Sequence, residues 1–339
     1  MKKQRVLHLL PSGGYSGAEN VVCTIIDNDS KYDMLYCSPN GKINEILKER
    51  NIKHIDIGKL TPRNVKRVCD ENDIDILHAH DYKASFVAAL SGFKGKIISQ
   101  LHVNWDFNNK WNIYTITYNI LIKKFHKVIA VSKEILDEAV YVKKHKDKFV
   151  LITNVVDKNR TLEKSKEFKT SKYDLIYVGR LEEVKRPEII IDVTNKLKKD
   201  IKNIKVCIIG TGSLEENLKL KIKEENLENN IDMLGFKKNP FPYIKNSKVA
   251  ILPSLHEGLP MSVIECMILD VPVINSGVDG LKTLFKNNKE FICNDIEEYV
   301  KTIKKELKTK SLSKKCNEII KKETDIDSYI KKINNVYKN

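Results

Sequence analysis

Short, unbroken apolar runs recur along this chain with amphipathic stretches between them, and this constrains the fold more than any other feature. RVLHLL, KIISQL, VIAV, DLIYV and VCII are each only a few residues long. Apolar runs of that length suit strands whose sheet is covered on both faces, as in a parallel sheet. Strands are expected at 5–10, 33–37, 52–57, 74–78, 96–101 and 128–131. Helices are expected at 16–26, 43–50, 64–71, 82–90 and 111–125, with another from Ser132. Right-handed βαβ connections are the default for such an order. Residues 157–172, DKNRTLEKSKEFKTSK, are polar, charged and aperiodic, and read as a linker. The alternation then restarts, with strands at 174–178, 206–209, 231–234, 249–252 and 271–274. The last forty or so residues read as helix only.

A chain of 339 residues with this pattern implies two doubly wound α/β domains. The first is placed at 1–160, a linker at 161–172 and the second at 173–310. Residues 311–339 form a helical segment free to pack back toward the first domain. The expected ligand site is a central cleft faced by the strand C-termini of both domains. No stretch approaches the roughly 18 apolar residues of a membrane span. The apolar run at the N-terminus ends at Pro11-Ser12-Gly13-Gly14, too early for a secretory signal, so a cytoplasmic protein is expected. Seven cysteines without a CxxC pair read as free, mostly buried thiols, and zinc is not expected.

The net charge of +15 suits a polyanionic partner, whether nucleic acid, anionic lipid or a phosphorylated substrate. A lysine-rich composition accounts for it equally well. Lysine outnumbers arginine, and zinc-finger, helix-turn-helix and RNP signatures are lacking, so nucleic acid is not expected. Residues 301–339 hold twelve lysines against five acids, and isoleucines 319, 320, 326, 330 and 333 give one apolar side. This reads as a packed helix with a solvated basic face.

Four loops follow expected strands and could carry chemistry. In SGGYSGAE, residues 12–19, Ser16 and Glu19 have capping-box spacing. Gly13 and Gly14 permit positive φ and close backbone approach, which suits phosphate or sugar oxygens as well as a plain tight turn. In VGRLEEVKRP, residues 178–187, Gly179 permits a sharp turn, after which Arg180 and Lys185 can reach one spot. A guanidinium fork and an ammonium suit a diphosphate; a solvated basic turn is the plain alternative. IIGTGSLEENL lacks the third glycine of a dinucleotide fingerprint, so a redox cofactor is not expected. Gly210 and Gly212 are expected in a tight turn lining the cleft. HAHD, residues 78–81, places His78 and His80 on one side of a strand. No third ligand has obvious spacing, and hydrogen bonding at the cleft edge is the expected role. His102 ends the next strand and is either a structural histidine or a donor to sugar oxygens.

LPSLHEGLPMSVIEC, residues 252–266, is the most informative loop. Pro260 suits a first helical turn. Amides around Gly258, Leu259 and Met261, together with the helix dipole, favour an anion. Glu257 precedes the helix and is expected to look into the cleft. Glu265 lies on its second turn, where a carboxylate can accept from both hydroxyls of a ribose. A nucleoside diphosphate unites these residues, with Arg180, Lys185 and the helix N-terminus on phosphate and Glu265 on ribose.

In that frame the chain resembles the GT-B fold retaining glycosyltransferases of family 4, the glycosyl transferases group 1. The resemblance rests on SGGYSGAE, HAHDYKAS, AVSKEI, ITNVVD, VGRLEEVK, IIGTGS, LGF and, most specifically, the E-x7-E motif inside LPSLHEGLPMSVIEC. It implies a GT-B fold of two Rossmann-like domains. It also implies metal-independent transfer from a nucleotide-sugar donor, expected to be UDP-linked, with retained anomeric configuration and no cofactor. By analogy Arg180 and Lys185 neutralise the leaving diphosphate, Glu265 binds ribose and Glu257 sits near the donor sugar. His102 and Gly14 line the sugar and acceptor side. Departures are Val155 after Asn154, Asp270 where glycine is usual, and the loose loop Ser276-Gly277-Val278-Asp279-Gly280.

Residues 104–127 bear on the acceptor. Trp111, Tyr114, Tyr118, Leu121 and Phe125 fall at helical spacing, Ile113, Ile116 and Ile120 make a second stripe, and Lys123, Lys124 and Lys127 follow. This is either a core helix with a basic end or an interfacial helix at an anionic membrane. The second reading implies a lipid-linked or cell-surface polysaccharide acceptor and a peripheral place on the inner face of the cell membrane. Two other functions fit parts of the pattern. One is a nucleotide-sugar epimerase of similar two-domain shape; the other is a non-catalytic polyanion binder motivated by the charge.

Overall fold

The structure is a computed structural model that describes residues 2–103, 106–257 and 259–338. The chain forms two compact units. One comprises Met1–Val155 with Asp325–Asn339, and the other Val156–Thr324.

The first unit is built on seven parallel strands: β1 (Arg5–Leu9), β2 (Asp33–Ser38), β3 (His54–Asp56), β4 (Ile76–His80), β5 (Lys96–Leu101), β6 (Lys127–Ala130) and β7 (Phe149–Leu151). Their order is β3-β2-β1-β4-β5-β6-β7. Strand β1 pairs with both β2 and β4, so the strand order reverses there. Side chains alternate across the sheet, so Leu7 and Leu9 share one face with Leu35, Cys37, Leu77 and Ala79. On the other face Tyr36, Leu10, Val22 and Ile43 pack together. Both faces are therefore buried. That is why the strands read as continuous apolar runs. Strand β7 was not among the expected strands. It has three half-buried or exposed residues at the sheet edge, too few to carry a periodic signal.

The C-terminal helix Ile326–Lys338 belongs to this first unit. It buries Tyr329, Ile330, Ile333, Val336 and Tyr337. The Lys96 ammonium donates to the carbonyls of Tyr337 (3.0 Å) and Lys338 (3.1 Å), satisfying the last turn. The helix thus covers the sheet face that carries the polar residues of β1 and β4.

The second unit has five parallel strands: β8 (Tyr173–Val178), β9 (Val206–Ile209), β10 (Ile231–Gly235), β11 (Ser247–Leu252) and β12 (Val273–Asn275). Their order, β10-β9-β8-β11-β12, reverses at β8. Part of the segment expected as a linker is a helix, Lys158–Lys164, capped by the Asp157 carboxylate accepting from Arg160 N–H at 2.9 Å. Its inward positions are Thr161 and Ser165, which are polar, so no apolar period betrays it. Asp270 occupies the left-handed region at φ +60°. Aspartate tolerates that conformation better than most residues, which explains how it replaces the usual glycine.

Two glycines are required by close approach. A Cβ on Gly210, at φ +147°, would lie 1.8 Å from the Gly179 carbonyl oxygen. A Cβ on Gly212 would lie 2.3 Å from the Leu181 oxygen. The loop after β8 rests directly on the loop after β9, with Leu181 N–H donating to Thr211 O at 3.0 Å and Leu214 N–H to Leu181 O at 3.0 Å. These glycines therefore support the Arg180 loop. Gly210→Ala is expected to lower the unfolding free energy by about 2–4 kcal/mol, from backbone strain plus overpacking. Chemical denaturation of the full chain measures it, and wild-type stability would refute the packing argument.

Candidate functional site

In the second unit the site grows from three loops at the carboxyl ends of β8, β11 and β12. The loop after β8 is held from below, where Tyr177 donates its hydroxyl to the Arg180 carbonyl at 2.8 Å. Arg180 itself is exposed. Glu182 accepts from Ser213 N–H (3.1 Å) and Ser213 Oγ (2.6 Å), which ties this loop to the one after β9. Those bonds hold the Glu182 carboxyl below its ordinary value. Leu255 N–H donates to Val184 O at 2.8 Å, joining the loop after β11.

Glu257 is the centre of this arrangement. Its Oε1 accepts from Lys185 Nζ at 2.5 Å and from Ser254 Oγ at 2.6 Å. The pair is largely withdrawn from water, with side-chain exposures of 17% for Lys185 and 5% for Glu257. The Glu257 carbonyl accepts from Gly280 N–H at 3.2 Å, and Ser276 Oγ donates to Ser254 O at 2.5 Å, which brings in the loop after β12. Glu257, expected to precede the helix and look into the cleft, is an ion-paired, buried carboxylate, and the cation offsets the cost of burying its charge. The helix Met261–Ile268 begins one residue after Pro260, which occupies the N-cap, and Val263 N–H turns back to Pro260 O at 3.0 Å. Glu265 lies half-buried on the second turn, and Leu259 is half-buried just before the helix. Gly258, expected among the anion-binding amides, lies outside the described residues. The structure therefore joins Lys185 to Glu257 directly, and Arg180 and Glu265 belong to the same loop system. Sequence reasoning missed Tyr177, Glu182 and Ser254, whose contacts depend on loop folding rather than motif spacing.

In the first unit the polar residues gather at the carboxyl ends of β1, β4 and β5. His8 stands opposite His78 across β1 and β4, and both share a face with His80. His8 Nδ1 lies 3.0 Å from His80 Nε2, and His80 Nδ1 lies 2.9 Å from His102 Nε2. His78 Nδ1 bonds the Tyr337 hydroxyl at 2.8 Å. His102 follows β5 and is anchored through its backbone N–H, which donates to Asp81 Oδ1 at 2.9 Å. Asp81 sits at φ +63°. Sequence spacing offered no third partner for His78 and His80, but the fold supplies His8. Ring nitrogens of the three lie within 4.8 Å of one another, the one such grouping among the described residues that could hold a metal ion. Both His80 nitrogens already face other imidazoles, so the arrangement is a hydrogen-bonded array.

Neither Gly13 nor Gly14 is among the positive-φ residues, although both would permit it. Gly13 is required for a different reason, since a Cβ there would lie 2.4 Å from Asn40 O. At Gly14 a Cβ would meet only Ser12 Oγ, at 3.4 Å. The capping box forms, with Glu19 accepting from Ser16 N–H at 2.9 Å.

The helix Ile113–Leu121 divides the aromatic stretch between two environments. Tyr118, Leu121 and Phe125 are buried. Trp111, Ile113, Tyr114, Ile116 and Ile120 are exposed, Ile113 by 68% and Ile120 by 61%. Lys144 lies 5.0 Å over the Trp111 ring, and Lys110, Lys123 and Lys143 are exposed nearby in sequence. Asn104 and Trp105 of that stretch lie outside the described residues. No described helix is long and apolar enough to cross a membrane. All seven cysteines are buried free thiols, and burial pushes Cys37, Cys69, Cys207 and Cys316 up to about 12, which leaves them unreactive.

Two parallel-sheet units of this kind have the GT-B fold. Residues 158–323 match the family Glycosyl transferases group 1, and residues 27–160 match Glycosyltransferase Family 4. The chain belongs to the family 4 type of glycosyltransferases. It is 26% identical over 298 residues to the capsular polysaccharide biosynthesis glycosyltransferase CapH of Staphylococcus aureus, covering 81% of each chain. It is 25% identical over 303 residues to the Campylobacter jejuni N-acetylgalactosamine-N,N'-diacetylbacillosaminyl-diphospho-undecaprenol 4-alpha-N-acetylgalactosaminyltransferase, covering 81% of this chain and 82% of that one. The fold matches Anabaena HepE, solved with UDP and glucose, with a TM-score of 0.82, 17% identity and 98% of each chain covered.

The histidine array makes stability depend on pH. Burial lowers His8 from 6.5 to about 3 and holds His78 and His80 well below the ordinary value. Burial also lowers His102, with Asp81 opposing it. Below about pH 6.5 the unfolded chain takes up these protons and the folded chain does not. Stability is therefore full above that value and falls as the pH drops toward the folded values. Each histidine adds a slope of about 1.4 kcal/mol per pH unit in that window. Denaturant titrations between about pH 7 and 5 measure it, and a flat profile would contradict the neutral array.

Proposed function

We propose that this glycosyltransferase moves a sugar from a UDP-sugar to a lipid-linked or cell-surface polysaccharide acceptor, with retention of anomeric configuration. The observation that carries the donor side is the Lys185–Glu257–Ser254 knot beside the helix that bears Glu265. In this reading Arg180 and Lys185 take the diphosphate, aided by the amides of Gly258, Leu259 and the first helical turn. Glu265 accepts from the ribose hydroxyls. Two fixed cations do the work that a metal ion would do on the leaving diphosphate, so neither a metal nor an organic cofactor is needed. Nucleic acid plays no part.

Glu257 lies near the donor sugar and positions Lys185. Its carboxylate already accepts hydrogen bonds from Ser254 and from Lys185, the second of them an ion pair, which argues against its use as a nucleophile. Transfer on the same face as the departing UDP fits better. The bond from the anomeric carbon to the phosphate oxygen breaks as the acceptor hydroxyl bonds to that carbon, and the hydroxyl proton passes to the leaving phosphate. His102 and the Gly14 loop contact the sugar and the acceptor.

The acceptor reading rests on the exposed stripe Ile113, Ile116 and Ile120, with Trp111 and Tyr114 beside it. Large apolar side chains at i, i+3 and i+7, bordered by lysines, suit an anionic membrane surface. In this reading the enzyme works on the inner face of the cell membrane, in the cytoplasm. Both relatives named above act in surface-glycan or undecaprenol-linked chemistry by their names, which supports the same class here.

Glu265→Ala is expected to weaken UDP binding by about 1.5–3 kcal/mol, roughly tenfold or more, by isothermal calorimetry. Unchanged UDP affinity would remove the ribose assignment. Ile113→Asp with Ile120→Asp is expected to abolish flotation with phosphatidylglycerol liposomes at low salt while leaving UDP affinity intact. If the wild-type chain ignores those liposomes, the membrane reading is wrong.

A further inference from the structure

One carboxylate oxygen in the second unit holds two donors. Glu257 Oε1 accepts from Lys185 Nζ at 2.5 Å and from Ser254 Oγ at 2.6 Å. Ser254 is fully buried, and the side chains of Lys185 and Glu257 are only 17% and 5% exposed. Opposite charges this close attract more strongly at a partly desolvated site than they do in bulk water. Arg180, the other cation assigned to the diphosphate, is exposed instead. The two cations therefore start from different states: Arg180 faces solvent, and Lys185 is already on an anion.

The backbone around the pair keeps it together. Leu255 N–H donates to the Val184 carbonyl at 2.8 Å, which ties the loop of Lys185 to the loop of Glu257. Gly280 N–H donates to the Glu257 carbonyl at 3.2 Å, and Ser276 Oγ to the Ser254 carbonyl at 2.5 Å. A diphosphate that reaches Lys185 must therefore share the ammonium with a carboxylate that cannot drift away. When UDP departs, the same carboxylate takes the ammonium back. An ammonium has three N–H donors and can bridge two anions, but the anions then repel each other across it.

We infer that Glu257 is an internal counter-ion of Lys185 that loosens UDP by competing for the ammonium, and that Ser254 is a positioning residue that limits this competition. The Ser254 hydroxyl engages Oε1, the oxygen that holds Lys185, and so weakens the grip of the carboxylate on the ammonium. The two residues meet at one atom, yet they act on UDP affinity with opposite signs. The competition favours product release, because UDP has lost the sugar whose contacts help to hold the donor. The inference rests on the proposed contact between Lys185 and the diphosphate. It adds the part played by the anion, which a site built only to bind phosphate would not bury beside its cation.

The experiment is calorimetric titration of the full chain with UDP, with uridine followed by NMR as the phosphate-free control. Glu257→Gln keeps the shape and can still accept from Ser254 and Lys185, but lacks the competing charge. It is expected to bind UDP about tenfold more tightly, the worth of one charge-assisted contact, with uridine unchanged. Ser254→Ala is expected to bind UDP roughly threefold more weakly, again with uridine unchanged. A merely structural defect would weaken UDP in both variants. Weaker or unchanged UDP binding by Glu257→Gln, or wild-type or tighter binding by Ser254→Ala, would therefore overturn the inference. In a Lys185→Met background the gain from Glu257→Gln is expected to vanish, and a gain that persists would show plain charge repulsion and overturn it as well. If Lys185→Met does not fold with the carboxylate unpaired, the opposite signs of the other two variants still decide. Wild-type UDP affinity in Lys185→Met would instead remove the diphosphate assignment on which the inference stands.

Discussion

A parallel sheet buried on both faces must release its chain at the carboxyl edge of each strand before a helix carries it back. Most of the candidate site residues sit where that release occurs. In each unit the strand order reverses once, beside β1 in the first and β8 in the second. At such a point neighbouring loops run in opposite directions and leave room for a ligand. The candidate residues Arg180 and Lys185 after β8, Glu257 after β11 and His102 after β5 all follow strand ends.

The two units solve the burial of polar groups in opposite ways. The second unit buries a charge pair. Glu257 and Lys185 lose solvation together, and Ser254 supplies a further hydrogen bond, so neither charge is left alone. The first unit buries imidazoles as neutral groups. Four histidines are held below their ordinary values and hydrogen-bond one another or, from His78, the Tyr337 hydroxyl of the C-terminal helix.

Much of the fold was legible because two-sided burial writes itself into the strands as apolar runs. The loops after β8 and β11 were legible because glycine, proline and charged residues recur there in a specific frame. Other parts left no such trace. The helix Lys158–Lys164 turns Thr161 and Ser165 inward, so its period is polar and reads as linker. Strand β7 is too short for a pattern. Gly210 and Gly212 suggest a turn, yet their purpose is the carbonyls of Gly179 and Leu181 pressed against them. His8 lies seventy residues from His78 in the chain, so no spacing rule links them.

By itself, the order of apolar runs, turn residues and the Glu257/Glu265 pair determined that this chain forms two doubly wound units and where its charged loops lie. Those are local properties, set by side-chain period and backbone freedom. Only the tertiary structure decided what each polar group does there. It placed Lys185 on Glu257, aligned imidazoles from β1, β4 and the residue after β5, and turned Ile113, Ile116 and Ile120 outward. Such pairings depend on register between neighbouring strands and on which face a helix buries. Both are settled by packing across the whole unit, not by any stretch of sequence.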